Sequence, residues 1–317
     1  MHWLKKGILL QGTHRLAIRN GRTFSLETLG RSTIWTTEPE NIQAILSTQF
    51  SDFEQSSARI NAFRPYTGDG IFSSNGMTWS HARAILRPSL SRVHVANLEI
   101  YERHFQKLSA LIPHDGSTID LQDLFSRMTI DTASDFLFGE SVHALDPHQS
   151  STSKAISQAF DYTSQGVAFR LQMGPLSFLF PDKKFKKSVS LIHEYVDYFV
   201  DKAVAYRTSD EKEIEGQAGK YVYLRELAKD TGDRKVLRNQ IVSILAAGRD
   251  TTAALLSLSF WLLLRNPGVV EKLRAEVATL NGHPPTYEQL KGMSYVRWVL
   301  DESEYSKFIN FMIRLNI

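Results

Sequence analysis

Residues 241–264 read Ile-Val-Ser-Ile-Leu-Ala-Ala-Gly-Arg-Asp-Thr-Thr-Ala-Ala-Leu-Leu-Ser-Leu-Ser-Phe-Trp-Leu-Leu-Leu. Both ends are apolar. The middle, Ala247-Gly248-Arg249-Asp250-Thr251-Thr252, is not. At about 3.6 residues per turn the run forms one helix, apolar over most of its circumference, which is the pattern of a buried central helix. A buried polar group without a partner is costly, so the charged pair and the two hydroxyls at its midpoint need something opposite them.

Three readings compete. As a membrane span the 24 residues are long enough. However, the 11 Ile, Val, Leu and Phe residues supply at best about −0.3 to −0.6 kcal/mol each, and Arg249 and Asp250 cost about +2.5 to +3.5 kcal/mol each, so the sum sits near zero. A plain core helix with a bent, locally satisfied centre is the second reading. The third is a helix opened at its middle to face a ligand, and the local chemistry favours it. Gly248 has no side chain, so a flat ligand can lie against the backbone there. Thr251 can return its hydroxyl to the Ala247 carbonyl four residues back, which loosens the helix. Asp250 beside Thr251 puts an acid next to an alcohol in an apolar wall, a pairing that can pass protons or hold a water.

Composition narrows the remainder. The 317 residues, 42% of them hydrophobic, suffice for one large or two ordinary domains. With 37 basic and 34 acidic residues interspersed to a net charge of +3, nothing argues for a nucleic-acid partner. The cluster Lys183-Lys184-Phe185-Lys186-Lys187 reads as a solvated helix start or as a contact for an acidic membrane surface. No cysteine is present, which excludes disulfides and cysteine-based metal sites. The ten histidines show no H-E-x-x-H or similar spacing. Gly7-Ile8-Leu9-Leu10 is too short an apolar run for a signal peptide or a span, so the chain as given is expected to be soluble or peripherally attached.

Along the chain, Phe24 and Leu26 alternate, Gly30-Arg31-Ser32 predicts a turn, and Thr33 to Thr36 returns, a β-hairpin. Pro39 opens a helix with Ile42, Ile45 and Leu46 on its apolar face. Residues 62–76 read as loop. Thr78 is the expected cap of a helix carrying Trp79, Arg83 and Arg87 on one face. Leu98, Tyr101, Phe105, Leu108 and Ile112 predict an amphipathic helix ended by Pro113, and residues 121–137 another, closed by Gly139. Residues 154–171 and 185–206 give two more, joined by an apolar connection (Leu176, Phe178, Leu179, Phe180) that is either exposed or buried. Residues 208–219 are charged. Asn266-Pro267 and Thr286-x-x-Gln289 open further helices, the latter by a capping box.

Ala247–Thr252 resembles the oxygen-activation signature A/G-G-x-D/E-T-T/S on the long I helix of cytochrome P450 monooxygenases. The resemblance implies a haem cofactor faced by Ala247 and Gly248, with Asp250 and Thr251 as catalytic groups in proton delivery. Trp79-x-x-x-Arg83, after a glycine-rich loop, is similar to the family's C helix, which implies that Trp79 and Arg83 bind a haem propionate. A guanidinium forks onto a carboxylate, and an indole N–H adds a second donor. Residues 70–76 resemble the loop that closes over substrate. The helices at 154–171 and 185–206 resemble the F and G helices, whose connection forms the substrate roof and touches the membrane.

Residues 295–303 resemble the K helix, whose E-x-x-R motif begins at Glu302. Tyr305 stands where its arginine belongs, and a phenol cannot replace a guanidinium in an ion pair. Glu302 is thus a remnant of the motif. Residues 304–317 have no counterpart, and the iron-ligating cysteine loop is missing.

The expected fold is mainly α with a small β region at residues 20–37, the N-terminal two-thirds of the P450 fold over residues 1–303, followed by a tail at 304–317. Because the chain begins inside the family pattern, without a membrane anchor, a fragment at both ends is expected, the product of a mis-spliced or wrongly translated gene model. The implied activity is oxidation of a lipophilic substrate by O2, with electrons from an NADPH-dependent reductase. The sequence most resembles fungal members acting on alkanes and fatty acids. The family's place is the endoplasmic reticulum membrane, and this chain is expected to be cytosolic or peripheral. Lacking the axial thiolate that drives O–O cleavage, it is expected to be inactive. The alternative is a non-catalytic helical protein that binds lipid, or a full-length relative, through the remaining pocket.

Overall fold

A computed structural model describes residues 9–28, 31–89, 98–208 and 222–314. The chain divides into two units, residues 56–300 and, separately, residues 1–55 with 301–317.

The smaller unit opens with helix α1 (Leu9–Asn20) and a hairpin of β1 (Thr23–Thr28) and β2 (Arg31–Thr36). The antiparallel register runs from Thr23↔Thr36 to Thr28↔Arg31. Arg31 and Ser32, expected in the turn, are therefore strand residues, because the ladder keeps its alternation to the end. Leu29 and Gly30 lie outside the described residues. Phe24 and Leu26 are half-buried, as their alternation predicts. Thr23 and Thr36 hydroxyls meet at 2.8 Å, and Ser25 and Ser32 at 2.7 Å. Helix α2 (Pro39–Gln43) starts on proline, whose missing N–H would be unpaired there in any case. Its expected apolar face is largely open, with Ile42 and Leu46 exposed.

In the larger unit α3 (Ser57–Thr67) occupies much of the expected loop. Ser56 caps it by accepting from the Arg59 N–H at 3.3 Å. Pro65 sits in the last turn, where it costs only the helical donor to the Asn61 carbonyl. Gly68, at φ +59°, then closes the helix. Helix α4 (Gly76–Ser89) begins before Thr78, which is a helical residue and not the cap; the Asn75 carbonyl accepts from Trp79 N–H. Helix α5 (Glu99–Ala110) buries Ile100, His104 and Leu108. Of the predicted stripe, Tyr101 and Phe105 are exposed. The face is rotated because His104 is a core residue, its Nε2 3.1 Å from the buried Asp135 carboxylate.

Helix α6 (Leu121–Phe138) is capped by Asp120 and ended by Gly139 at φ +75°. Helices α7 (Ser151–Met173) and α8 (Lys183–Thr208) are joined through a 3-10 segment, Gly174–Leu179. The apolar connection is exposed at Phe178, Leu179 and Phe180. The charged stretch 209–219 lies outside the described residues. Helix α9 (Tyr223–Asp230) precedes α10 (Arg234–Leu263), which Asp233 caps by accepting from Lys235 and Val236 N–H at 2.8 and 3.1 Å. Helices α11 (Pro267–Ala278), α12 (Tyr287–Gly292) and α13 (Ser294–Arg314) follow. Thr286 and Gln289 make the predicted capping box. The Glu276 carboxylate accepts from Tyr295 and Val296 N–H at 3.0 and 2.8 Å, which caps α13.

The core assembles around the first half of α10. Leu237, Ile241, Val242 and Leu245 pack with Ile130 and Leu137 of α6, Phe160 of α7, and Ile192 and Val196 of α8. Among the described residues α10 alone is long and apolar enough to cross a membrane. Its first half packs against α6 and α8, which accounts for part of that composition; 33% of the apolar stretch is buried. The fold is mainly α with one small antiparallel hairpin, as the sequence predicts.

Candidate functional site

The loop from Gly68 to Asn75 is pressed onto α10. A Cβ at Gly68 would stand 2.1 Å from the Asn239 side chain, and one at Gly70 would stand 2.3 Å from Ser243 Oγ. Only glycine admits such an approach. Ser73 and Ser74 are buried and bond back to the Gly68 and Gly70 carbonyls. The segment expected to close over substrate is thus fixed to α10 along this length.

Two turns further on, α10 reaches the polar midpoint. Arg249 is 4% exposed. Its Nη2 donates to Asp161 Oδ1 of α7 at 2.5 Å and its Nη1 to Asp250 Oδ1 at 2.7 Å. Burial opposes the guanidinium charge, but the Asp250 and Asp161 carboxylates outweigh it and hold its pKa above the ordinary arginine value. Ser164 Oγ of α7 donates to Asp250 Oδ2 at 2.5 Å. The buried charge is therefore answered by Asp161 on α7 and by Asp250 on α10 itself.

A helix turns about 100° per residue, so neighbours point in different directions. Asp250 leans toward α7. Thr251 and Thr252 are exposed, and Thr251 Oγ1 donates to the Ala247 carbonyl at 2.7 Å, the back-bond its sequence predicts. A Cβ built on Gly248 meets nothing within 4 Å. This stretch of α10 thus has a salt-linked side and an open side.

Trp79 and Arg83 come together on α4, the guanidinium 5.5 Å from the indole ring. Trp79 is half-buried and Arg83 exposed, and among the described residues no carboxylate pairs with Arg83. Helix α4 joins through Leu86 the same core that Ile241 and Leu245 of α10 enter. Glu302 is exposed and belongs to the smaller unit; the side chain of Tyr305 lies outside what is described.

Sequence reasoning missed Asp161, Ser164 and Tyr66. The first two stand 88 and 86 residues from their partners, and the only sequence cue was that a buried arginine demands a carboxylate. Tyr66 of α3 is 2% exposed and its hydroxyl has no partner among the described residues. Burial, then the nearby Asp250 charge, pushes its pKa above the ordinary tyrosine value, with Arg249 opposing.

The family model for cytochrome P450 matches residues 1–303. The chain belongs to the cytochrome P450 family. It is 39% identical over 295 residues to cytochrome P450 monooxygenase fsdH of Fusarium heterosporum, an alignment covering 89% of this chain and 52% of that protein. It is 41% identical over 288 residues to cytochrome P450 monooxygenase himC of Aspergillus japonicus, again 89% of this chain and 52% of the relative. Cytochrome P450 52A4 of Candida maltosa is 38% identical over 318 residues, covering 95% of this chain and 57% of its own length. The P450 chain thus spans a little over half the length of the curated relatives it matches.

The family implies haem, and the residues present fit one face of it. The backbone at Gly248 is open to a flat ring, and Arg83, exposed on α4, presents a cation that a carboxylate could meet. A thiolate cannot come from these 317 residues, which include no cysteine.

Proposed function

We propose that this P450 chain supplies the oxygen-binding wall of a haem monooxygenase that oxidises a lipophilic, alkane- or fatty-acid-like substrate, with electrons from an NADPH-dependent reductase. Bound haem would supply activation of O2 and insertion of one oxygen atom. The chain's own part is proton handling and positioning. Thr251 donates its hydroxyl proton to the Ala247 carbonyl, which holds the hydroxyl on the open side of the helix beside Gly248. Asp250, half-exposed and held by Arg249 and Ser164 on the α7 side, would take protons there and pass them to the open side only through water. Trp79 and Arg83 would hold a haem propionate, while Ala247 and Gly248 bound the ring.

The exposed Phe178, Leu179 and Phe180 next to Lys183, Lys184, Lys186 and Lys187 favour a peripheral contact with an anionic membrane, in keeping with an endoplasmic reticulum location. On this reading residues 1–303 are the P450 portion and residues 304–317 a tail outside it. The chain by itself turns nothing over, because no residue in it can give the axial thiolate.

One observation carries the reading, the unobstructed backbone at Gly248 beside a back-bonded threonine. Haemin titrated into the purified chain should quench its tryptophan fluorescence, and Gly248→Leu should weaken that binding about tenfold or more, a loss of about 1.4 kcal/mol. Reduction under CO should give no thiolate-type Soret band. Unchanged haemin binding in the leucine variant, or a thiolate-type band, overturns the reading. Tight binding of an apolar ligand that ignores both haemin and the leucine would instead favour the non-catalytic lipid binder.

A further inference from the structure

Tyr66 places a hydroxyl where a phenylalanine would pack as well. Its ring meets Phe160 edge-on at 6.5 Å and 75°, and its backbone carbonyl is held by His193 Nε2 of α8 at 2.7 Å. Neither contact uses the hydroxyl. A buried hydroxyl without a partner costs stability that an aromatic ring alone would not.

Two further buried polar groups are also without a protein partner among the described residues. Thr163 of α7 is fully buried with Oγ1 unpaired. Arg249, whose guanidinium lies 5.9 Å from the Phe160 ring, uses Nη1 and Nη2 on carboxylates and leaves Nε unpaired. Tyr66 and Arg249 both lie against the Phe160 ring, and Thr163 is three residues along α7 from it; three such groups, from α3, α7 and α10, match the two to four polar partners that an internal water takes.

We propose that an ordered-water site lies between the Tyr66 hydroxyl, the Thr163 hydroxyl and Arg249 Nε, and that it extends the Asp250 network into the interior of the larger unit. Arg249 Nε can only donate, so the water accepts from it and is oriented to donate onward to one of the two hydroxyls. The network then runs from the half-exposed Asp161 at the surface, through Arg249, to Tyr66 inside. The network fixes the Arg249 guanidinium and with it the Asp250 carboxylate; that this positioning serves proton delivery rests on the proposed function. The water site itself does not, and its test reads no activity.

A high-resolution crystal structure of the unmodified chain should show ordered density within about 3.2 Å of both Tyr66 Oη and Arg249 Nε. Tyr66→Phe should lower the melting temperature by about 2–4 °C, since it removes a satisfied buried hydrogen bond. Thr163→Val should act in the same direction. A dry site gives the opposite result: no density, and a melting temperature that rises when the idle hydroxyl is removed. Either of those outcomes overturns the proposal, and the density decides alone if the variants do not fold.

Discussion

Arg249 carries its charge into the core and is answered by two carboxylates of unequal exposure, with side chains 54% exposed at Asp161 and 35% at Asp250. Either alone can still compensate the guanidinium, and solvent screens the loss of the other. Asp161→Asn and Asp250→Asn should therefore each cost less than about 1 kcal/mol. The double variant leaves a buried cation unanswered and should cost about 3–5 kcal/mol. Urea denaturation of all four proteins measures the excess, and simple additivity would show that the two acids do not share one partner. His193 gives a prediction in pH. Burial holds its pKa below the ordinary 6.5, with the Tyr66 carbonyl bond and Asp197 opposing and Arg238 assisting. Below about pH 6.5 the unfolded chain binds this proton first, so stability is full above that pH and is lost as pH falls toward the depressed value. A stability profile from pH 8 to 5 should show that acid-side slope, reduced in His193→Gln. At this scale the sequence was legible only where partners are local. The Thr251 back-bond spans four residues and could be read. The reach from Arg249 to Asp161 spans 88 and could not, since periodicity tells that a face is buried but not what meets it.

Helix existence was legible where apolar residues recur at helical spacing without interruption, as in α6, α7, α8 and α10. Faces and ends were less so. In α5 the apolar pattern pointed to Tyr101 and Phe105, but His104 is the core residue, its Nε2 paired with Asp135. In α3 the proline and glycines signalled a loop, yet Pro65 is tolerated in a last turn and Gly68 ends the helix. Those glycines do a different job from the punctuation read into them, allowing the loop to touch α10. Gly70→Ala puts a methyl 2.3 Å from Ser243 Oγ and 3.0 Å from the Asn239 and Thr67 carbonyl oxygens. It should destabilise by about 1–3 kcal/mol, the usual range for overpacking. Ser243→Ala removes the nearest of those atoms and should recover part of the loss, though not the part owed to the backbone. Equal costs of Gly70→Ala with and without the serine hydroxyl would mean that loop and helix are not in the contact described. Thr286→Ala, which breaks the capping box, should cost about 1 kcal/mol.

At the scale of the molecule, the mainly helical class with a single hairpin was legible because the periods of 3.6 and 2 alternate cleanly along the chain. What the periods could not reveal is how unevenly the long helix is buried. Up to Arg249, α10 contributes eight of its ten fully buried residues; beyond it only Ala253 and Ser259 remain. Its end is open at Phe260 and Leu264, and neither α11 nor α12 has a buried residue. Local stability follows buried contacts, so one continuous helix should behave as two cooperative parts. Hydrogen exchange followed by mass spectrometry should find the amides of residues 237–249 opening only with the larger unit as a whole. Amides after Ser259, with those of α11 and α12, should exchange through local opening. A gap of about 3 kcal/mol between the two opening reactions corresponds to rates about a hundredfold apart. The division should fall at the Ala247–Thr252 segment, where a glycine with open space at its Cβ position and a threonine bonded to its own backbone weaken the helical ladder. Uniform protection from Leu237 to Leu263 would show that the polar midpoint is no break. The open notch beside Gly248 would then have to be explained by the side chains alone, and not by a loosening of the helix that carries them.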